Sequence, residues 1–184
     1  MNNKKKDENL NLPNILAGFR ILLAPLMLWF MVDQSNPIFN GWDPSWFDYF
    51  AGLIFVIASV TDFFDGFIAR KWDQMTKLGS ILDPLADKML VLAGFIGLLV
   101  MGRAGAFAVF IILSREFFIT GLRVVAVSEG KAVASTMAGK VKTVVQMIAI
   151  GFLIMNWPFA TTILWIAVGL TLYSGYEYIR DYLK

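Results

Sequence analysis

The chain of 184 residues contains no cysteine and no histidine. Without cysteine it has neither a disulfide framework nor a thiol nucleophile. Without histidine it lacks the commonest acid/base group, so any proton transfer falls to Asp, Glu, Lys, Tyr or water. The two absences together remove the softer metal ligands. Charge is also scarce: 16% of residues are charged and 58% are hydrophobic, with a positive mean hydropathy. That composition is far from that of a soluble domain and points to an integral membrane protein, for which no nucleic-acid partner is expected. No internal repeat or low-complexity segment divides the chain, and its length fits a single domain over residues 1–184.

What is present is a series of long apolar segments. They predict an all-α integral membrane protein with six transmembrane helices. Residues 1–13 are polar and basic, with Lys4, Lys5 and Lys6. Ile15 to Val32 then reaches the ~20 residues that a bilayer requires. It follows a basic start as a signal peptide does, but it is longer than a usual apolar core and shows no small-x-small cleavage site, so it reads as a retained helix. Pro25 is a potential kink, and Arg20 near the helix start either snorkels to lipid phosphate or faces an acidic site.

The loop from Asp33 to Ser45 has no Lys or Arg, and Trp46 marks the interface ahead of a second helix from Phe47 to Arg70. Lys71 to Leu78 is a polar turn. Further spans are expected at Gly79 to Met101 (with Pro84 early, where a missing donor costs least), Ala106 to Val127, Met137 to Met155, and from Asn156-Trp157-Pro158 to about Tyr178. Lys4, Lys5, Lys6, Arg70, Lys71, Lys77, Arg123, Lys131, Lys140, Lys142, Arg180 and Lys184 fall on one side of this pattern, and Arg103 alone falls on the other. Positive charge accumulates inside, so both termini are expected in the cytoplasm.

Asp62, Asp65, Asp83 and Asp87 lie beside or within those apolar spans. An ionised Asp costs roughly 2.5–3.5 kcal/mol at the centre of a spanning helix, so four of them call for cationic partners. Asp62, Asp65, Gly66 and Ala69 fall at i, i+3, i+4 and i+7, one stripe of one helix, while Gly79, Asp83 and Asp87 form a stripe on the next. Two antiparallel neighbours would then face each other with two carboxylates apiece. All-oxygen ligation suits Mg²⁺, Mn²⁺ or Ca²⁺, and four acids suggest two ions. Asp62 stands about 12 Å before the helix end at Arg70, which places the cluster at headgroup depth on the cytoplasmic side.

A basic constellation follows: Arg115, Arg123, Lys140 and Lys142 on the cytoplasmic halves of the fourth and fifth helices. It suits an anionic substrate group, with Arg favoured for phosphate. The alternative is that Arg115 pairs with Glu116 or an Asp, and that the others face anionic lipid. Gly66 and Ala69 likewise suit a helix-packing face, and Thr76 suits any turn. Acids and arginines within a membrane also line ion pathways, which makes a cation transporter the rival class. Acids clustered at one surface speak against it.

The run Asp62-x2-Asp65-Gly66-x2-Ala69-Arg70-x8-Gly79-x3-Asp83-x3-Asp87 resembles, with no position missing, the signature of the CDP-alcohol phosphatidyltransferases. Ser114 to Arg123, Gly139 to Thr143 with Gln146-Met147, and the looser Leu12 to Ile15 and Phe19 to Ile21 are similar to the bacterial branch of that family that makes phosphatidylglycerophosphate. The resemblance implies transfer of a phosphatidyl group from CDP-diacylglycerol to glycerol 3-phosphate with release of CMP, at the bacterial inner membrane with the active site facing the cytoplasm. Related transferases take phosphatidylglycerol, serine or an inositol phosphate instead, and the basic constellation favours an acceptor that carries phosphate.

By the same resemblance, Asp62, Asp65, Asp83 and Asp87 hold Mg²⁺ or Mn²⁺, with Asp87 also the general base. Asp62, Gly66, Ala69, Arg70 and Thr76 bind CDP-diacylglycerol. Arg115, Arg123, Lys140 and Lys142, assisted by Arg20, bind the acceptor phosphate, and the enzyme is a homodimer.

Overall fold

The structure is a computed structural model that describes residues 12–34, 36, 40–72, 79–130 and 136–183, with side chains at all of these except 12, 13, 63–72, 79–81, 83 and 127. Among the described residues it is all-helical, with six helices: α1 (Leu12–Val32), α2 (Pro44–Trp72), α3 (Gly79–Val100), α4 (Ala106–Ser128), α5 (Met137–Ile154) and α6 (Ala160–Tyr182). Three of them contain a stretch long and apolar enough to cross a membrane: Asn14–Val32, Pro44–Asp62 and Met137–Ile154. The chain packs as two compact units, Met1–Gly97 and Leu98–Lys184.

The boundaries differ from the sequence expectation where caps decide them. Helix α1 starts at Leu12 rather than Ile15, because Pro13 falls in the first turn, where its missing N–H has no helical partner to lose. Helix α2 starts at Pro44 rather than Phe47. Asp43 caps it: its Oδ1 accepts hydrogen bonds from the Ser45 N–H at 2.8 Å and the Ser45 hydroxyl at 2.6 Å. Those two hydrogen bonds, the hydroxyl's first, hold the exposed Asp43 carboxyl below its ordinary pKa. Helix α6 runs on past Tyr178 to Tyr182.

In the first unit α1 packs along α2. The buried stripe of α1 is Ala17, Arg20, Ala24, Met27 and Met31, and that of α2 is Phe47, Ala51, Phe55 and Ala58, both at helical spacing. Helix α3 joins them through Gly97. A Cβ there would lie 2.7 Å from the sulfur and terminal methyl of Met31, so the glycine is what lets the two helices approach. Phe30 stacks on Phe50 at 5.5 Å, and Trp42 and Trp46 lie 5.8 and 6.1 Å from the same ring, an aromatic cluster where α1 ends and α2 begins.

In the second unit α6 packs against both α4 and α5. Ile112 of α4, Ala149, Ile150 and Ile154 of α5, and Leu164, Ala167 and Val168 of α6 are all buried there. The Arg103 guanidinium donates to the carbonyl of Ile154 at 2.5 Å, closing the C-terminal end of α5. Phe159, at φ 64°, adopts the left-handed conformation that turns the chain into α6.

Beside this apolar core, the burial pattern departs from that of a soluble protein in two ways. Arg20, Lys142, Gln146, Thr171 and Ser174 are buried, while Leu22, Val100, Phe107, Phe110 and Val144 are among the many large apolar side chains that face outward. Such outer faces suit hydrocarbon, and polar groups turned inward are how helices hold together there.

Candidate active site

Three helices of the first unit deliver charge to one place. Arg20 of α1 has a fully buried side chain, and its Nη1 donates to Oδ1 of Asp62 on α2 at 2.8 Å. Its Nη2 lies 3.8 Å from Oδ1 of Asp87 on α3. Of the two positions open to Arg20 from sequence, it takes the one facing the acids. Taking a guanidinium out of water costs several kcal/mol, and two carboxylates about it offset that cost. The fork geometry of Arg allows one side chain to serve acids on two helices.

The remaining members of the aspartate pattern are placed by their helices alone. Asp65, Gly66, Ala69 and Arg70 continue α2 beyond Asp62, and Asp83 precedes Asp87 by one turn of α3. Their side chains lie outside those described, as does Thr76 altogether. Among the described residues no three potential ligands converge as a metal cluster. Asp62 and Asp87 do fit a divalent cation in kind: both are hard oxygen donors, and both reach toward a single positive charge from neighbouring helices.

A second polar centre lies in the second unit. Glu116 of α4 accepts a hydrogen bond from Lys142 Nζ of α5 and lies 3.4 Å from Arg115 Nη1. Arg115 Nη2 donates to the Ser174 hydroxyl of α6 at 2.9 Å. One turn along α5 from Lys142, the Gln146 amide donates to Thr171 of α6 at 2.9 Å. Of the basic residues singled out from sequence, Arg115 and Lys142 therefore meet through Glu116. Lys140 is exposed on α5, and Arg123 is exposed on α4 with its guanidinium carbon 6.0 Å from the centre of the Tyr178 ring. The polar stripe of α6, Thr171, Ser174 and Gly175, was not singled out from sequence. Its signal was there, as polar and small residues at i, i+3 and i+4 inside an apolar span.

Six helices with large apolar side chains on their outer faces, and with Asp62 of α2 and Asp87 of α3 drawn to the buried Arg20, fit a membrane protein with a charged interior site. The family model for CDP-alcohol phosphatidyltransferase matches residues 10–173, and the chain belongs to that family. Similar proteins bear the name CDP-diacylglycerol–glycerol-3-phosphate 3-phosphatidyltransferase. One from Bacillus subtilis (strain 168) is 40% identical, over 91% of this chain and 93% of its own length. One from Rickettsia felis is 37% identical, over 92% and 94%, and one from Shigella flexneri serotype 5b is 36% identical, over 92% and 93%.

Proposed function

We propose that this chain transfers the phosphatidyl group of CDP-diacylglycerol to glycerol 3-phosphate, giving phosphatidylglycerophosphate and CMP in phospholipid biosynthesis. Matches to relatives of that name along nine-tenths of the chain support the reaction. The convergence of Asp62 and Asp87 upon Arg20 is the structural observation that carries it.

The hydroxyl oxygen of glycerol 3-phosphate attacks the phosphorus that bears the lipid. A new P–O bond forms there, and the bond to CMP breaks. Asp87 of α3 accepts the hydroxyl proton as attack proceeds. Two divalent ions, Mg²⁺ or Mn²⁺, would be held by Asp62, Asp65, Asp83 and Asp87, and when bound they supply charge neutralisation for the pyrophosphate and the leaving CMP. Arg20 keeps Asp62 and Asp87 directed inward. Asp62, Gly66, Ala69, Arg70 and Thr76 bind CDP-diacylglycerol, as the family signature suggests. Arg115, Arg123, Lys140 and Lys142 bind the acceptor phosphate.

In the bilayer all six helices span, with both termini and the active site on the cytoplasmic side of a bacterial inner membrane. Positive charge gathered at those ends supports that orientation. The enzyme acts as a homodimer.

The test is to incubate purified protein with Mg²⁺ or Mn²⁺, CDP-diacylglycerol and a panel of acceptors, and to measure CMP. Release dependent on glycerol 3-phosphate, and lost with EDTA, is expected. Release with serine or an inositol phosphate but not with glycerol 3-phosphate would overturn the assignment.

A further inference from the structure

We propose that Ser174 and Gly175 of α6 are positioning residues for Arg115, forming a seat that fixes the direction in which its guanidinium meets the acceptor phosphate. The proposal rests on Arg115 being a ligand of that phosphate.

The seat has two parts. Ser174 is buried, and its hydroxyl donates to the Thr171 carbonyl at 3.1 Å while accepting from Arg115 Nη2 at 2.9 Å. Its proton is thus committed to the helix backbone and its lone pairs are turned toward the guanidinium. Gly175 supplies the space: a Cβ there would lie 3.3 Å from both Cγ and Nε of Arg115, so the arginine stem lies flat against the α6 backbone. A Cβ added there would require the stem to give by a few tenths of an ångström.

The seat is itself anchored. Thr171, one turn earlier, donates to the Ala167 carbonyl at 2.6 Å and accepts from Gln146. That ties α6 to the helix bearing Lys142. With Nη2 on Ser174 and Nη1 leaning toward Glu116, Nε of Arg115 is buried without a hydrogen-bond partner among the described residues. A guanidinium held by the seat on one side and by Glu116 on the other has a fixed orientation in which to meet a phosphate oxygen.

Steady-state kinetics test the seat, with Arg115→Ala, Ser174→Ala, Gly175→Ala and the double variant Arg115→Ala/Ser174→Ala assayed in parallel. Loss of the hydrogen bond to the charged Arg115 in Ser174→Ala, and displacement of its stem in Gly175→Ala, predict that each variant raises the KM for glycerol 3-phosphate about tenfold, with kcat and the KM for CDP-diacylglycerol changed by less than about twofold. Adding Ser174→Ala to Arg115→Ala should bring no further rise, since the seat then has nothing to aim. A merely structural role would raise both KM values or add its effect in the double variant, and either result overturns the proposal.

If Arg115→Ala raises the acceptor KM while the seat variants leave it alone, the seat fails and the pocket stands. If Arg115→Ala leaves it unchanged, the pocket reading falls and the seat falls with it. Ser174→Ala removes only one oxygen, so it decides the matter if Gly175→Ala does not insert.

Discussion

Arg20→Met is the sharpest perturbation of the first unit, because methionine keeps an unbranched apolar stem in α1 while removing the guanidinium with its charge and donors. In the wild type the guanidinium is fully buried, 2.8 Å from Asp62 and 3.8 Å from Asp87. Breaking a fully buried pair costs about 3–5 kcal/mol, whereas a hydrogen bond to a charged group is worth about 1.5–3. The partner side chains are 32% and 40% exposed, so water can take over part of what Arg20 supplies. The lower range therefore applies, and a loss of about 2 kcal/mol is expected.

For a chain of this size that corresponds to a drop on the order of 4–8 °C in melting temperature. Thermal unfolding of detergent-purified protein, followed by circular dichroism, measures it. Arg20→Lys should fall between the two, since one ammonium serves a single carboxylate well where the fork serves two. Millimolar Mn²⁺ should restore part of the loss in Arg20→Met, because the same two acids then share a divalent charge. An Arg20→Met protein that melts with the wild type, with or without Mn²⁺, would refute the pairing as a structural element.

Asp87→Asn should lower transfer at least about a thousandfold while the protein still inserts and binds CDP-diacylglycerol, as read by CMP release and by ligand-induced thermal shift; retained turnover would remove Asp87 as the base. Thr136 caps α5 by accepting from the Gly139 N–H at 3.1 Å, so Thr136→Ala should cost about 1 kcal/mol in denaturant or thermal unfolding with little change in KM. Thr171→Val keeps the volume but leaves the buried Gln146 amide without its acceptor, for a loss of about 1–3 kcal/mol; the double variant Thr171→Val/Gln146→Leu should recover part of it. The Asp43 carboxyl titrates below its ordinary value of 3.8 in the folded chain, so its stabilisation is present above that value and is lost as pH falls through the lower, folded one. The melting temperatures of wild type and Asp43→Asn should accordingly converge as acidification below 3.8 carries the folded carboxyl through its lowered titration, and a gap that persists once that carboxyl is protonated would contradict the capping assignment.

Helices were legible wherever apolar length alone decides, which is why the elements predicted from sequence match α1 to α6 in order. Their ends were less so. The start of α2 depends on an Asp43 side chain meeting Ser45 two residues on, and the end of α6 depends on polar residues beyond Tyr178 that still pack as helix. Asp62 and Asp87 stood out in the sequence because helical spacing is strict and charge in an apolar span is conspicuous. Partners were not, because spacing shows which face a side chain takes and not what lies opposite. Arg20 had two plausible positions, and only the packing of α1 along α2 selects Asp62 as its partner.

Helix α6 carried the least legible information of all. Thr171, Ser174 and Gly175 have the composition of an ordinary helix-packing stripe, and they acquire a role only once Arg115 is seen lying across them. The consequence reaches beyond this stripe. In apolar spans the conspicuous residues mark where chemistry is done, but the directions of their side chains are set by small neutral neighbours that sequence patterns cannot separate from packing. Differences in acceptor choice among family members that share the same acids should therefore be sought in the residues facing Arg115 and Lys142 as well as in the cations themselves.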